Sequence, residues 1–177
     1  VALFQGGLIR NTIKQNDLNL QSVYKDYEQA SNDLALSVSV YYLNVLQSQE
    51  RLHVADKNRE ISKLQLEQIN KLIKAGAKPE ADALEIQSQM ARAEQLFVVA
   101  ENTLDLAWLS LKQSMRMDPQ AKMTLEPLSE EQFNSVQIQK YTFEELYAVA
   151  SEQRPGIEAA RIRLNGAKLG EKIAKSL

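Results

Sequence analysis

The chain has 177 residues, of which 44% are hydrophobic and 25% are charged, with only 6 glycines and 4 prolines. This composition is typical of folded helical protein and argues against disorder, and a formal charge of -2 gives no field that favours nucleic acid or an anionic membrane surface as the main partner. The longest mostly apolar stretch, from Leu34 to Leu46, is too short for the roughly 20 apolar residues of a membrane-spanning helix.

The first predicted element is a very long helix over about residues 8–75, a range that contains neither proline nor glycine. At 1.5 Å per residue such a helix would be roughly 100 Å long, so we expect it to pack in an extended assembly. Steps of three and four place a single apolar seam along it. The seam consists of Leu20, Val23, Tyr27, Ala30, Leu34, Tyr41, Val45, Leu52, Ala55, Leu66, Ile69 and Ile73.

A tight turn is predicted next, with its tip over residues 74–82. Lys74 places a cation in the last turn of the first helix, and Gly76 is suited to the left-handed conformation that ends it. Pro79 suits the first position of a second helix. From turn chemistry alone the tip is either only a turn or an exposed contact surface, and the first interpretation is favoured.

The second predicted helix covers about residues 79–117 and carries a strict heptad seam, which predicts an antiparallel coiled-coil hairpin with the first helix. The seam is Ala83, Ile86, Met90, Ala93, Phe97, Ala100, Leu104, Ala107 and Leu111. We expect Ala93, Phe97, Ala100 and Leu104 to hold the hairpin together. A second stripe, formed by Leu96, Val99, Leu106 and Leu109 with Trp108 beside it, is expected to bind neighbouring hairpins.

The pair Asp118-Pro119 is predicted to end this helix, because proline cannot donate its amide and pushes the preceding residue out of the helical region. A connector over residues 119–140 follows. It contains a predicted short helix near Glu130 and a predicted short strand with Val136 and Ile138.

The last part of the chain contains two further predicted helices. Thr142 and Glu145 form a capping box at the start of the third helix, and Tyr141 is expected to pack on Leu146 as a hydrophobic staple. Pro155 ends the third helix and opens the fourth. On the fourth helix, the glycines at positions 166 and 170 mark a face for close approach.

The predicted fold class is therefore all-α, with a long antiparallel coiled-coil helical hairpin at residues 1–117 and a small mixed, mainly helical equatorial region at residues 118–177.

Few residues are candidates for chemistry. His53 is the only histidine and cysteine is absent, so neither a zinc site nor an activated nucleophile is predicted. Met115, Met117 and Met123 form a cluster that would suit Cu(I), but the favoured interpretation is that they fill irregular gaps. No phosphate-binding loop or nucleophile motif is found. The sequence thus predicts no catalytic residue, no metal site, no cofactor and no enzyme activity.

Several motifs resemble those of TolC-like outer-membrane efflux proteins, the outer membrane factor family. Phe4-Gln5-Gly6-Gly7, followed by a long amphipathic helix, resembles the Phe/Tyr-x-Gly-Gly signature of this family. The later motifs follow in the family's order. They are Ala75-Gly76-Ala77 and Asp82-Ala83-Leu84-Glu85 at the tip, and Arg154-Pro155-Gly156-Ile157 in the equatorial region.

The resemblance implies a periplasmic fragment from the first of two structural repeats. The intact protein would be a homotrimer in the outer membrane that forms an α-helical tunnel, the periplasmic part of an export channel for efflux or type I secretion. Its membrane contact would come only through β-barrel strands outside this sequence. The tip residues Ala75, Gly76 and Ala77, with Lys78 beside them, would contact a periplasmic adaptor protein, and an inner-membrane pump would be engaged indirectly.

Two alternatives belong to other functional classes. A periplasmic adaptor also uses a helical hairpin, but it flanks the hairpin with β-rich lipoyl-like halves, whereas predicted helices follow the hairpin here. A generic coiled-coil scaffold would not require the Gly-Gly start or the proline-opened fourth helix.

Overall fold

The computed structural model describes residues 7–126 and 141–175. These ranges contain no strand and form four helices: α1 (Leu8–Lys74), α2 (Ala81–Ser114), α3 (Phe143–Gln153) and α4 (Pro155–Ala174). The predicted all-α class is confirmed. Phe4 of the resemblance, the short helix predicted near Glu130 and the strand predicted with Val136 and Ile138 lie outside the described residues. No helix in the described ranges combines the length and the apolar character that a membrane crossing requires.

The packing divides the chain into two compact units. One unit is Leu36–Leu128, and the other combines Val1–Ala35 with Ser129–Leu177. The division that the sequence suggested, at residues 117 and 118, follows chain order. The packing instead groups the first part of α1 with α3 and α4, because those segments contact one another across a long separation in sequence.

In the unit Leu36–Leu128, α2 runs antiparallel to the second part of α1. Tyr41 of α1 lines a pocket with Ser110 of α2. Arg59, which follows Tyr41 on α1, instead meets Phe97, which precedes Ser110 on α2, and its guanidinium lies 3.7 Å from the centroid of the Phe97 ring. On α1, Val45 is fully buried. The predicted hairpin is confirmed, and its α2 side is the strict heptad seam. Every member of that seam is buried or half-buried: Ala83, Ile86, Met90, Ala93, Phe97, Ala100, Leu104, Ala107 and Leu111.

In the other unit, α4 packs antiparallel on the first part of α1. Gln15 Nε2 donates to the carbonyl oxygen of Gly166 at 3.2 Å, and the Gly156 amide donates to Gln29 Oε1 at 3.2 Å. A Cβ on Gly170 would lie 3.0 Å from Gln15 Nε2. The prediction that Gly166 and Gly170 mark a face for close approach is therefore confirmed.

The first part of the predicted α1 seam is wrong. Leu20 is 55% exposed, Val23 61% and Tyr27 72%, whereas Ser22 is 5% exposed. The reason is the surface that α4 presents. Its glycines leave room for polar side chains of α1 to approach the α4 backbone, so the polar face of α1 is the one that α4 covers.

Local capping signals in this unit match the prediction. The Thr142 amide donates to Glu145 Oε2 at 2.9 Å, and the Glu145 amide donates to Thr142 Oγ1 at 3.3 Å, which completes the capping box. Hydrogen bonds from the backbone and then the side chain of Thr142 lower the pKa of Glu145. Tyr141 and Leu146, the predicted staple, are 57% and 52% exposed.

The α2 helix ends at Ser114, three residues before the predicted end at Met117. Arg116 has a φ of +54°, and the Met117 amide donates to the Lys112 carbonyl at 2.9 Å. This is the Schellman arrangement, in which a left-handed residue ends the helix. The α1 helix ends in the same way at Gly76, where φ is +72° and the Ala77 amide donates to the Leu72 carbonyl at 2.9 Å.

Replacing Arg116 with glycine is expected to stabilise the unit Leu36–Leu128 by about 1 kcal/mol, because a left-handed conformation costs about 1–2 kcal/mol for a residue with a Cβ and glycine adopts it readily. Urea unfolding followed by circular dichroism measures the change. The matched control is Gly76→Ala, which places a Cβ at the same position of the other Schellman motif and should destabilise by a similar amount. If both variants lowered the free energy of unfolding, the left-handed cap at Arg116 would not be a source of strain.

Candidate functional site

The tip between α1 and α2 presents a surface with little side-chain bulk. Ala75, Gly76, Ala77 and Lys78 are all exposed. Among the described residues, a Cβ on Gly76 would find no heavy atom within 4 Å apart from its own neighbours. A larger side chain there would therefore project into open space, so the tip can be approached closely by the side chains of a partner.

The start of α2 fixes the other half of the tip. The helix begins at Ala81, two residues after the predicted first position at Pro79. The Asp82 amide bonds to the Pro79 carbonyl at 3.1 Å, so the chain enters α2 through a tighter turn. Lys78 Nζ pairs with Asp82 Oδ2 at 2.9 Å across this turn. The ammonium group of Lys78 therefore lies over α2 while staying half-exposed.

The residues predicted to pack the hairpin lie between α1 and α2. Ala93 is buried, and Phe97, Ala100 and Leu104 are half-buried. Arg59 of α1 covers the Phe97 ring and also pairs with Asp56 and Glu94, at 2.7 Å and 3.6 Å. These charged partners hold the guanidinium over the ring, where a cation gains from the ring's negative face.

The second stripe of α2 divides into two parts. Leu106 is 64% exposed, and Leu96 and Val99 are also more than half exposed. Leu109, predicted to bind neighbouring hairpins with Leu106, is instead half-buried and lines a pocket with Pro119 and other residues of the segment that follows α2. The structure therefore brings Leu106, but not Leu109, to an open surface of the hairpin.

An apolar groove runs along one side of the hairpin. Its volume is about 590 Å³, and its walls include Val54 of α1 with Leu96 and Val99 of α2. A smaller pocket shares Arg51 and other lining residues with this groove and extends it to Leu106. Exposed apolar side chains from two helices thus flank one continuous groove on the hairpin surface.

Sequence reasoning missed the α1 side of this surface. The α1 helix carries an apolar stripe other than the seam that faces α2, and its spacing of three, four, seven and eleven residues was already visible in the sequence. Its members are all exposed by 47% or more: Leu36, Val40, Leu43, Val54, Ile61 and Leu64. A helix with two separate apolar stripes has room for two helical neighbours.

The residues considered for chemistry lie outside the tip and do not line the apolar groove. His53 is exposed and lines a shallow pocket with Arg59 and Phe97. Met115 and Met123 are half-buried, and Met117 is 38% exposed. Within residues 7–126 and 141–175, no three side chains of His, Cys, Asp or Glu converge as metal ligands would.

Comparison with known proteins identifies the family. The family model described as outer membrane efflux protein matches residues 1–115, which include α1, the tip and α2. No curated protein and no solved structure matches the chain. The family consists of channel components for efflux through the outer membrane, and its members are transport proteins and not enzymes. With well over half of its length matched, this chain belongs to the outer membrane efflux protein family.

Proposed function

We propose that these helices form the periplasmic α-helical tunnel segment of an outer-membrane export channel. The observation that carries the proposal is the apolar groove of the hairpin, with Val54 on one wall and Leu96 and Val99 on the other. A neighbouring helix laid along this groove would bury both stripes as a coiled coil does. Hairpins joined side by side in this way build the wall of a conduit, in a protein that acts as a homotrimer.

The tip is the proposed docking point for a periplasmic adaptor protein, through which the channel engages an inner-membrane pump indirectly. Three small residues, Ala75, Gly76 and Ala77, leave the backbone of the turn accessible. Two Schellman hydrogen bonds at Gly76 and Ala77 fix the shape of this turn. A partner can therefore meet a preformed surface and loses little entropy in ordering it. Family membership favours this function over the adaptor and scaffold interpretations.

Replacing Gly76 with tryptophan is expected to weaken adaptor binding by at least about tenfold, because the indole would project from the tip into the space that the partner occupies. Binding of the intact trimer to its adaptor is measured by surface plasmon resonance. Gly76→Ala is the matched control, since it imposes the same backbone strain at φ +72° without the bulk. If both variants bind like the unchanged protein, the tip is only a turn and the adaptor docks elsewhere.

A further inference from the structure

The contact of α4 with α1 involves little apolar burial. Within α4 only Ala159 and Gly166 are buried, and Leu164 is 57% exposed. On the α1 side, the buried residue is Ser22. Ile162, Leu169 and Ile173 of α4 are half-buried, so apolar burial, the main driving force for holding helices together, is incomplete here and the polar contacts add to it.

Two ion pairs join the helices in a crossed arrangement. Lys25 Nζ lies 3.0 Å from Glu158 Oε2, and the guanidinium of Arg163 pairs with the carboxylate of Asp26. Each helix thus contributes one acid and one base, at adjacent positions on α1. All four side chains are between 30% and 53% exposed, so salt in the solvent weakens both attractions.

The N-terminus of α4 is capped by a residue of α1. The first amides of a helix have no partner within the helix, and Arg154, at the N-cap position of α4, supplies no side-chain hydrogen bond. Gln29 Oε1 accepts the Gly156 amide instead. If α4 leaves α1, this amide loses its partner in the chain and donates its hydrogen bond to water instead.

Lys25 has a second partner in its own helix. Its ammonium group also lies 3.0 Å from Glu28 Oε2, one turn along α1. Hydrogen bonds to Glu28 and then to Glu158 raise the pKa of Lys25. When Glu158 moves away, Glu28 remains beside the ammonium group. Opening of the contact therefore leaves no unpaired cation on this face of α1.

We propose that the pairs Lys25–Glu158 and Asp26–Arg163, with the Gln29 cap, form an electrostatic latch that holds α4 on α1 and releases it when charges are screened or reversed. It places α4 among the segments that open locally at low free-energy cost. In the intact protein this latch makes the contact between α1 and α4 depend on ionic strength, and it is distinct from the surfaces proposed for assembly and docking.

Hydrogen exchange of the intact protein tests the salt dependence. Between roughly 0.05 M and 1 M NaCl the Debye length falls to about 3 Å, so amide exchange in α4 near Ala159 and Gly166 should become about fivefold faster. Amides of α2 near Ala93, whose seam is apolar, serve as the internal control and should not change. Equal exchange of the α4 amides at both salt concentrations would overturn the proposal.

Charge reversal at low salt gives an independent test. Arg163→Asp places two carboxylates together and should speed α4 exchange about fivefold, and the added substitution Asp26→Arg should restore it. Lys57→Glu is the control variant, because Lys57 pairs with Glu60 of its own helix, at 3.1 Å, and should leave α4 unchanged. If the swapped pair exchanges as fast as the single variant, Arg163 acts through packing and the latch is refuted.

Discussion

Replacing Val45 with aspartate is expected to lower the free energy of unfolding of the hairpin unit by about 3–5 kcal/mol, the cost of an unpaired charge in a buried position. Val45 is fully buried on the face of α1 that packs against α2. The carboxylate cannot reach water there without separating the two helices. Urea unfolding, followed by the circular dichroism signal of the helices, measures the loss.

The same substitution at Val54 is the matched control. Val54 lies on α1 as well, but it is 49% exposed on the wall of the apolar groove. Val54→Asp should therefore change the free energy of unfolding of the isolated chain by no more than about 0.5 kcal/mol. Similar losses for the two variants would mean that Val45 and Val54 do not lie on different faces of α1.

The second large effect is expected from Leu106→Glu in the intact protein, which should abolish the proposed trimer while leaving the hairpin folded. Leu106 is 64% exposed, so a glutamate meets water in the separate chain. Once a neighbouring helix covers this stripe, the charge would be desolvated without a partner, which costs several kcal/mol per subunit contact. Light scattering after size exclusion distinguishes trimer from monomer, and circular dichroism reports the fold.

Gln87→Glu is the control for this experiment. Gln87 is also exposed on α2 but lies about 100° around the helix from Leu106, outside the apolar stripe. It adds the same charge to the same helix and should leave trimers intact. Full assembly of the Leu106→Glu protein would contradict the proposal that hairpins pack side by side along the groove.

The hairpin was predictable because its signals are redundant. Nine heptad positions of α2 are apolar, and the structure places every one of them away from full exposure. Gly76 ends α1, Pro155 opens α4, and Thr142 with Glu145 caps α3, all as predicted. The caps depend on residues within about one helical turn of each other, so for them the sequence contains the whole interaction.

The tip and the groove were predictable to different degrees. Gly76 marked the tip, because a left-handed residue is needed at that point. The groove was only half visible, since Leu96, Val99 and Leu106 were noticed on α2 but the matching stripe with Val54 on α1 was not. Several apolar stripes occur along α1 at helical spacing, and periodicity does not say which neighbour each stripe will meet.

By itself, the sequence determined which described segments are helical, the caps at Gly76 and Thr142, and which side of α2 is buried, because propensity, capping and heptad spacing are read along one helix. Only the tertiary structure decided the partners of α1. It turned Leu20 and Tyr27 outward and set Gln15 and Gln29 against glycines more than a hundred residues away. Such contacts depend on the shape and polarity of the opposing surface, which exists only after distant segments have come together.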